Sequence, residues 1–415
     1  MSPAPTKVKI KQSNKESKYW EWRGQKIRYI VHEGGNPRGP AVLLVHGLFV
    51  NADHFRKNLP ALAEAGYRAY AIDLLGSGYS SKPSPCDPSL LSISGENGRA
   101  DVPLGLNNIE LGTARGGSRV SDIQLAHPLG SIYNFYTWAE QLTDFAEEII
   151  KPRDGKVSLI CNSKGTIPSL QAAIDRPDIF DSCLIINPTF RELHVAESPV
   201  IFQPLVRGVQ TWLRKNGQPI FNALATPETV KNILKEPYAV KEAVTDELVD
   251  VLLSPLLQPG SADVVFDTLS YSTGPLPEQQ LQDPALNDTV VEICYGDKDP
   301  WTPLPRVQAL SKYYPVKSIE ILKGVGHCPH DEAPNLVNPL LIDFLNRVNE
   351  KRKKKSSKST SSKLYEEEIS LSEGLGPWLE SKLALSGTMR LIGMISIFPI
   401  LVLLGELSTK LIKTS

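Results

Sequence analysis

Ser163 stands at the centre of Cys161-Asn162-Ser163-Lys164-Gly165, between the apolar run Val157-Ser158-Leu159-Ile160 and a helix-like segment from Thr166 to Ile174. A strand, a sharp turn and a helix with serine at the apex lift a hydroxyl above a sheet. There a base can deprotonate it and a carbonyl can approach. Serine rather than aspartate at that place points to ester hydrolysis and away from dehalogenation or epoxide opening. The spacing is that of G-x-S-x-G, with Cys161 where the first glycine belongs; cysteine is small enough for close packing there. The rival reading is a surface turn that contains a serine.

A nucleophilic serine needs a base, an acid to orient the base, and donors for the oxyanion. Upstream, the apolar run Ala41-Val42-Leu43-Leu44-Val45 ends in His46-Gly47-Leu48-Phe49. The backbone N–H groups of Leu48 and of Lys164, just after the nucleophile, are the candidate oxyanion donors. Downstream, the strand-like Val290–Tyr295 runs into Gly296-Asp297-Lys298-Asp299-Pro300-Trp301. Asp297 and Asp299 both follow that strand, and Asp299 is preferred as the acid because the pattern is G-x-x-D. The strand-like Lys317–Leu322 precedes Gly326-His327-Cys328-Pro329-His330. His327, directly after glycine, is preferred over His330 as the base. The chain order is serine, acid, histidine. His46 is expected to hold the oxyanion loop through hydrogen bonds. His32, His54, His127 and His194 read as ordinary polar residues. Phe49, Phe190 and Trp301 are candidates to line a substrate pocket. The five cysteines show no C-x-x-C spacing, so neither a zinc site nor a disulfide framework is expected, and the thiols should be reduced and mostly buried. No metal and no protein-bound cofactor is called for.

These residues must be positioned by alternating strands and helices. Trp20 to Val31 reads as a hairpin around Gly24. Leu59–Ala65 is helix-like and Tyr67–Asp73 is the next strand, followed by the turn Leu75 to Pro83. Phe135, Trp138, Leu142, Phe145 and Ile149 recur at near-helical spacing, so Tyr133 to Ile150 should be an amphipathic helix with Trp138 in the core. Ser182–Asn187 is another strand. The expected fold is α/β, with a mostly parallel central sheet flanked by helices. Residues 19–190 form the first part of that core and 286–350 the second.

Two insertions interrupt it. Residues 84–130 are rich in glycine, serine and asparagine and lack periodicity. Such a length is either a mobile flap beside the site or disordered. Residues 191–285 lie between the sixth and seventh strands, and prolines separate helical pieces such as Thr226–Leu234 and Val240–Leu253. This segment is the expected helical cap. Its Phe202, Leu205, Val209, Trp212 and Phe221 either line an acyl or alcohol pocket or pack the cap together.

The chain has 415 residues and a net charge of −1, enough for a large core and contrary to nucleic-acid binding. Residues 1–18 are polar and are expected to be a disordered tail. They contain no apolar core of a secretory signal and lack the arginine-rich character of a transit peptide, as a mature or truncated start would. Residues 351–388 form a basic and polar linker that opens with Lys351-Arg352-Lys353-Lys354-Lys355. Within 389–415, Leu391–Leu404 carries no charge and contains Pro399. It is shorter than the ~20 residues of a spanning helix. The expectation is an interfacial or shallowly inserted anchor, with the basic linker drawn to anionic lipid.

Residues 19–349 resemble the α/β-hydrolase superfamily. Within it the chain is similar to the pigment-dephytylating branch of pheophytinases and chlorophyllases. Gly326-His327-Cys328-Pro329-His330-Asp331-Glu332-Ala333-Pro334 is close to that branch's histidine motif and Asp299-Pro300-Trp301 to its acid loop. Trp20-Glu21-Trp22 and the long insertion before the Trp138 helix are also similar. The resemblance implies Ser163, Asp299 and His327 as the triad, chlorophyll or pheophytin as substrate, phytol as product and a chloroplast membrane setting. The chain departs from that branch at the nucleophile, where Gly-Asn-Ser-Leu-Gly-Gly is usual and Cys161, Lys164 and Thr166 stand here. Only the Lys164 backbone is required by the oxyanion hole, so pigment preference, not reaction class, is what the change touches. The Lys164 side chain either faces the pocket or reaches solvent. Two other functions fit the same residues: a lipase or esterase for acylglycerols or galactolipids, and a catalytically silent pigment- or lipid-binding protein.

Overall fold

The computed structural model describes residues 17–36, 38–87, 90, 131–152, 155–190, 203–271 and 274–363. Residues 1–16, nearly all of the 84–130 insertion, Phe202 and the apolar run Leu391–Leu404 lie outside them, whereas Ser17 and Lys18, expected in the tail, open the first strand. The chain divides into two compact units, Met1–Leu345 and Asn346–Ser415. All of the sheet and site described below belong to the first.

Eight strands form one sheet: β1 Ser17–Trp22, β2 Gln25–His32, β3 Ala41–Val45, β4 Arg68–Ile72, β5 Val157–Ser163, β6 Phe180–Pro188, β7 Val290–Gly296 and β8 Val316–Leu322. Their order is β1-β2-β4-β3-β5-β6-β7-β8. The β1–β2 and β2–β4 pairs are antiparallel, and every pair from β4 to β8 is parallel. The β1–β2 hairpin closes through Arg23 and Gly24 at φ 51° and 74°. Two residues at positive φ make the turn whose twist matches paired strands.

Every residue of β3 and β4 is buried. A parallel strand covered by helices on both faces needs a continuous apolar run rather than an alternating one. One such helix is Phe135–Phe145, capped by Asn134, whose side chain accepts from the N–H groups of Tyr136 and Thr137. Its Phe135, Trp138, Leu142 and Phe145 are all buried in the core. Trp138 also anchors the turn after β4, donating from Nε1 to the Leu75 carbonyl at 3.0 Å. Asp73, at the end of β4, accepts from the N–H groups of Ala52 and Tyr79 and pairs with Arg28. That single carboxylate fixes the two loops beside the C-terminal end of β3.

Between β6 and β7 lie the helices Gln203–Asn216, Gln218–Leu224, Pro227–Leu234, Asp246–Leu256, Ser261–Leu269 and Pro277–Gln280. Prolines stand at or near the start of several. Leu205, Val209 and Trp212, expected to line a pocket or pack this segment, do neither: their exposures are 67%, 44% and 55%. They fall on one face of helix Gln203–Asn216, which turns its other side to the molecule through Gln210 and Arg214. Among the described residues no single helix is long and apolar enough to cross a membrane.

Candidate active site

The β5 strand ends at Ser163, whose φ is 52°. A non-glycine residue in the left-handed region is strained, and such strain collects where a side chain must be presented in one direction. The turn closes with Gly165 N–H on the Asn162 carbonyl at 2.9 Å, and helix Thr166–Asp175 starts at once. Gly165 is required by contact: a Cβ there would lie 2.6 Å from the Val45 carbonyl oxygen and 2.7 Å from that of His46. Cys161 replaces a glycine without conflict, because its buried sulfur sits 3.7 Å from Cys183 Sγ and 3.8 Å from the Leu184 carbonyl oxygen. The four buried cysteines are free thiols, and Cys86 is exposed.

His327 reaches Asp299 with Nδ1 2.7 Å from Oδ2, and both side chains are buried. Asp299 takes further hydrogen bonds: Asn187 Nδ2 donates to Oδ2 at 2.7 Å, and the N–H groups of Trp301 and Thr302 donate to Oδ1 at 2.8 and 3.2 Å. Burial pulls its pKa up, but His327 and these donors outweigh burial and hold the carboxyl below the usual carboxylate range. An ionised Asp299 selects the tautomer with the proton on Nδ1. That leaves the Nε2 lone pair, which is buried and makes no hydrogen bond among the described residues. Asn162, beside the serine, donates from Nδ2 to the His327 carbonyl at 3.2 Å and so ties the elbow to the histidine loop. The Trp301 ring packs edge-on against His327, with centroids 4.8 Å apart.

The two rivals sit elsewhere. Asp297 accepts from Gly324 N–H and pairs with Lys298 and Lys323 on the rim of the turn. His330 is buried and bonded through Nε2 to His54 Nδ1 at 3.1 Å. His54, read from sequence as an ordinary polar residue, is fully buried and continues to the Tyr238 hydroxyl at 2.9 Å. Burial lowers the pKa of both rings well below the ordinary value, so both are neutral.

His46 is buried and neutral as well. Its Nδ1–H donates to the Gly47 carbonyl at 2.8 Å, and its Nε2 accepts from Leu74 N–H at 3.1 Å. Burial, more than any neighbour, lowers its pKa to about 4. The ring thereby clamps the loop that carries Leu48 and Phe49. That loop passes close to Ser163, since a Cβ on Gly47 would stand 3.2 Å from Ser163 Cβ. Phe49, in the same loop, holds φ 58° and is a second strained residue.

Beside the loop is a small open cleft whose walls include Leu48, Phe49, Lys82, Lys164, Leu252 and Val264. Lys164 lines the cleft, and its side chain carries Nζ to 3.5 Å from the centre of the Trp138 ring. A cation over an indole face is held there by the ring quadrupole. Burial lowers the pKa of Lys82 to about 8, and its ammonium donates to the carbonyls of Gly78 and Ser80. Of the expected pocket residues, Phe49 lines this cleft and Trp301 touches His327. Phe190 is instead in the core, fully buried, with the Arg306 guanidinium 4.4 Å above its ring. Among the described residues no group of histidine, cysteine and carboxylate side chains is arranged to hold a metal ion.

The Alpha/beta hydrolase family profile matches residues 42–340, most of the chain and every element of this site. The chain belongs to the alpha/beta hydrolase family. It is 25% identical over 338 residues to the chloroplastic pheophytinase of Arabidopsis thaliana, covering 79% of this chain and 66% of that relative. The chain therefore spans just under two thirds of the pheophytinase's length. A shorter stretch of 57 residues is 46% identical to epoxide hydrolase A of Mycobacterium tuberculosis, covering 14% of this hydrolase and 18% of that one. Among solved structures, the epoxide hydrolase CorEH superposes with a TM-score of 0.54 at 16% identity, over 80% of this chain and 99% of that one. At that identity the likeness speaks for the alpha/beta hydrolase fold alone.

Asn187, Asn162, Tyr238 and Glu332 escaped the reading of the sequence. Asn187 has the clearest signal: a polar residue ends the apolar run of β6, and it too has positive φ, 45°.

Proposed function

We propose that this hydrolase is a serine esterase that cleaves the phytol ester of chlorophyll or pheophytin, giving chlorophyllide or pheophorbide and free phytol. The observation that carries the ester chemistry is Ser163, strained at the elbow, together with a buried His327 whose Nδ1 is held by Asp299 and whose carbonyl accepts from the adjacent Asn162. An aspartate nucleophile, which epoxide opening would call for, is absent from that position. The choice of pigment rests on the match to the pheophytinase over 79% of the chain and on the histidine motif.

In the proposed mechanism His327 Nε2 takes the Ser163 proton and Ser163 Oγ attacks the ester carbonyl. The N–H groups of Leu48 and Lys164 receive the oxyanion. The tetrahedral intermediate collapses, and the proton passes from His327 to the departing phytol oxygen. Water then attacks the acyl-enzyme with His327 as base, releasing the pigment acid and Ser163. Asp299 fixes the tautomer and stabilises the imidazolium. Any magnesium in this reaction belongs to the pigment. The C-terminal apolar run would hold the enzyme at a plastid membrane, where a substrate with a long isoprenoid tail resides.

The apolar side chains of Phe49, Leu252 and Val264 in the cleft wall would also suit a lipid acyl chain, so an acylglycerol or galactolipid lipase is the second reading. A fluorophosphonate probe separates the classes: it should label Ser163 in the folded protein, and failure to label would return the silent binding protein. Turnover of pheophytin a beside a galactolipid, at matched detergent, separates the two esterases.

A further inference from the structure

The segment Glu236–Val240 of the helical insertion is bonded at every residue to the acid loop or the histidine loop. Glu236 Oε1 accepts from Trp301 Nε1 at 3.1 Å. The Pro237 carbonyl accepts from the N–H of His327 itself at 2.7 Å. The Tyr238 hydroxyl donates to Asp331 Oδ2 at 2.9 Å and accepts from His54. The N–H groups of Ala239 and Val240 donate to Glu332 Oε2 at 2.9 and 3.0 Å. The other oxygen of Glu332 accepts from Gly326 N–H at 2.7 Å. One nearly buried carboxylate thus joins the residue before His327 to the inserted segment. The approach leaves no room: a Cβ on Gly326 would lie 2.2 Å from the Pro237 carbonyl oxygen and 2.9 Å from Glu332 Oε1.

The geometry points to Glu332 as a positioning residue, which holds His327 in register with Ser163 by clamping Gly326 to the strap Pro237–Val240. This rests on His327 being the general base. Among the described residues the ring of His327 has one polar partner, Asp299, and its Nε2 has none. Where the ring lies is therefore set by its own backbone, and that backbone is fixed by Pro237 on one side and by Glu332 on the other. Asn162 supplies the third tie, on the His327 carbonyl. Both Glu332 oxygens act only as acceptors. A glutamine would turn its NH₂ toward an N–H and lose either the Gly326 bond or the two strap bonds.

The test is Glu332→Gln, with Glu332→Asp, Tyr238→Phe and a core control, Val316→Ala. Functional sites are first counted with a fluorophosphonate, and kcat per titrated site and KM are then measured on a short nitrophenyl ester. Misplacement of a reacting group by about 1 Å costs roughly 10²-fold, so kcat per site should fall roughly 10- to 100-fold in Glu332→Gln with KM unchanged. Glu332→Asp, which keeps the charge and both acceptors, should recover part of the loss. A purely structural role would lower the number of sites, as Val316→Ala should, and leave kcat per site unchanged; that result overturns the inference. So does a loss seen only with bulky esters, which would make the strap a pocket wall. If Glu332→Gln does not fold, Tyr238→Phe decides, by a fall or no fall in kcat per site. Should His327→Ala retain full activity, the reading of His327 as base fails instead. An inactive His327→Ala beside a normal Glu332→Gln would refute only the role of Glu332.

Discussion

Acidification should loosen this protein through His46, and the size of the effect follows from its burial. In the folded chain the ring titrates at about 4, whereas an unfolded histidine titrates near ~6.5. Between those values the unfolded state binds a proton that the folded state refuses. Stability therefore rises with pH across that window and is lost as pH falls through it. Each pKa unit is worth about 1.4 kcal/mol. At pH 5, about 1.5 units below the unfolded value, the penalty is about 2 kcal/mol, against about 0.2 kcal/mol at pH 7. The perturbation is His46→Gln, and the assay is urea unfolding of both proteins at the two pH values. Other buried groups, including His54 and His330 with the same sign and the raised carboxyls of Asp53, Asp267 and Glu332 with the opposite one, are common to both proteins and cancel. Whatever the substitution costs outright, wild type should lose about 2 kcal/mol more than His46→Gln on going from pH 7 to pH 5. Parallel losses would refute the neutral, clamping His46.

Two further outcomes follow from the same geometry. Asp299→Asn keeps a side chain of the same shape but offers His327 the wrong tautomer, and kcat should fall about 10⁴-fold with the thermal midpoint nearly unchanged; a loss below tenfold would remove Asp299 from the mechanism. Gly165→Ala drives a methyl group into the carbonyls of Val45 and His46, and denaturant unfolding should record a loss of about 1–3 kcal/mol, whereas a neutral result would mean that the elbow and β3 can separate.

The legible parts of this molecule are those whose cause is local. Strands β3 and β5 could be read because burial on both faces demands continuous apolar runs, and helix Phe135–Phe145 because one face carries its aromatics. The elbow was legible because a turn that tight needs Gly165, and the paired Asp299 and His327 because each follows a strand in a short glycine-bearing loop. The strap was invisible for the opposite reason. Tyr238 and Asp331 are 93 residues apart, and Asn187 and Asp299 are 112 apart; no period or local motif records such pairs. His54 and Phe190 were misjudged on the same ground, since a residue's type does not reveal a distant partner that buries it. Helix Gln203–Asn216 shows the converse: Leu205, Val209 and Trp212 have the spacing of a packed face yet stand exposed.

The most direct measurement is phytol release from pheophytin a and chlorophyll a in detergent, resolved by chromatography, by wild type and Ser163→Ala. The account predicts release by wild type from at least one pigment and none from a Ser163→Ala protein that unfolds at the wild-type temperature. Release that survives Ser163→Ala would contradict the serine mechanism. No release from either pigment, by wild-type protein that still hydrolyses a short nitrophenyl ester, would contradict the pigment assignment.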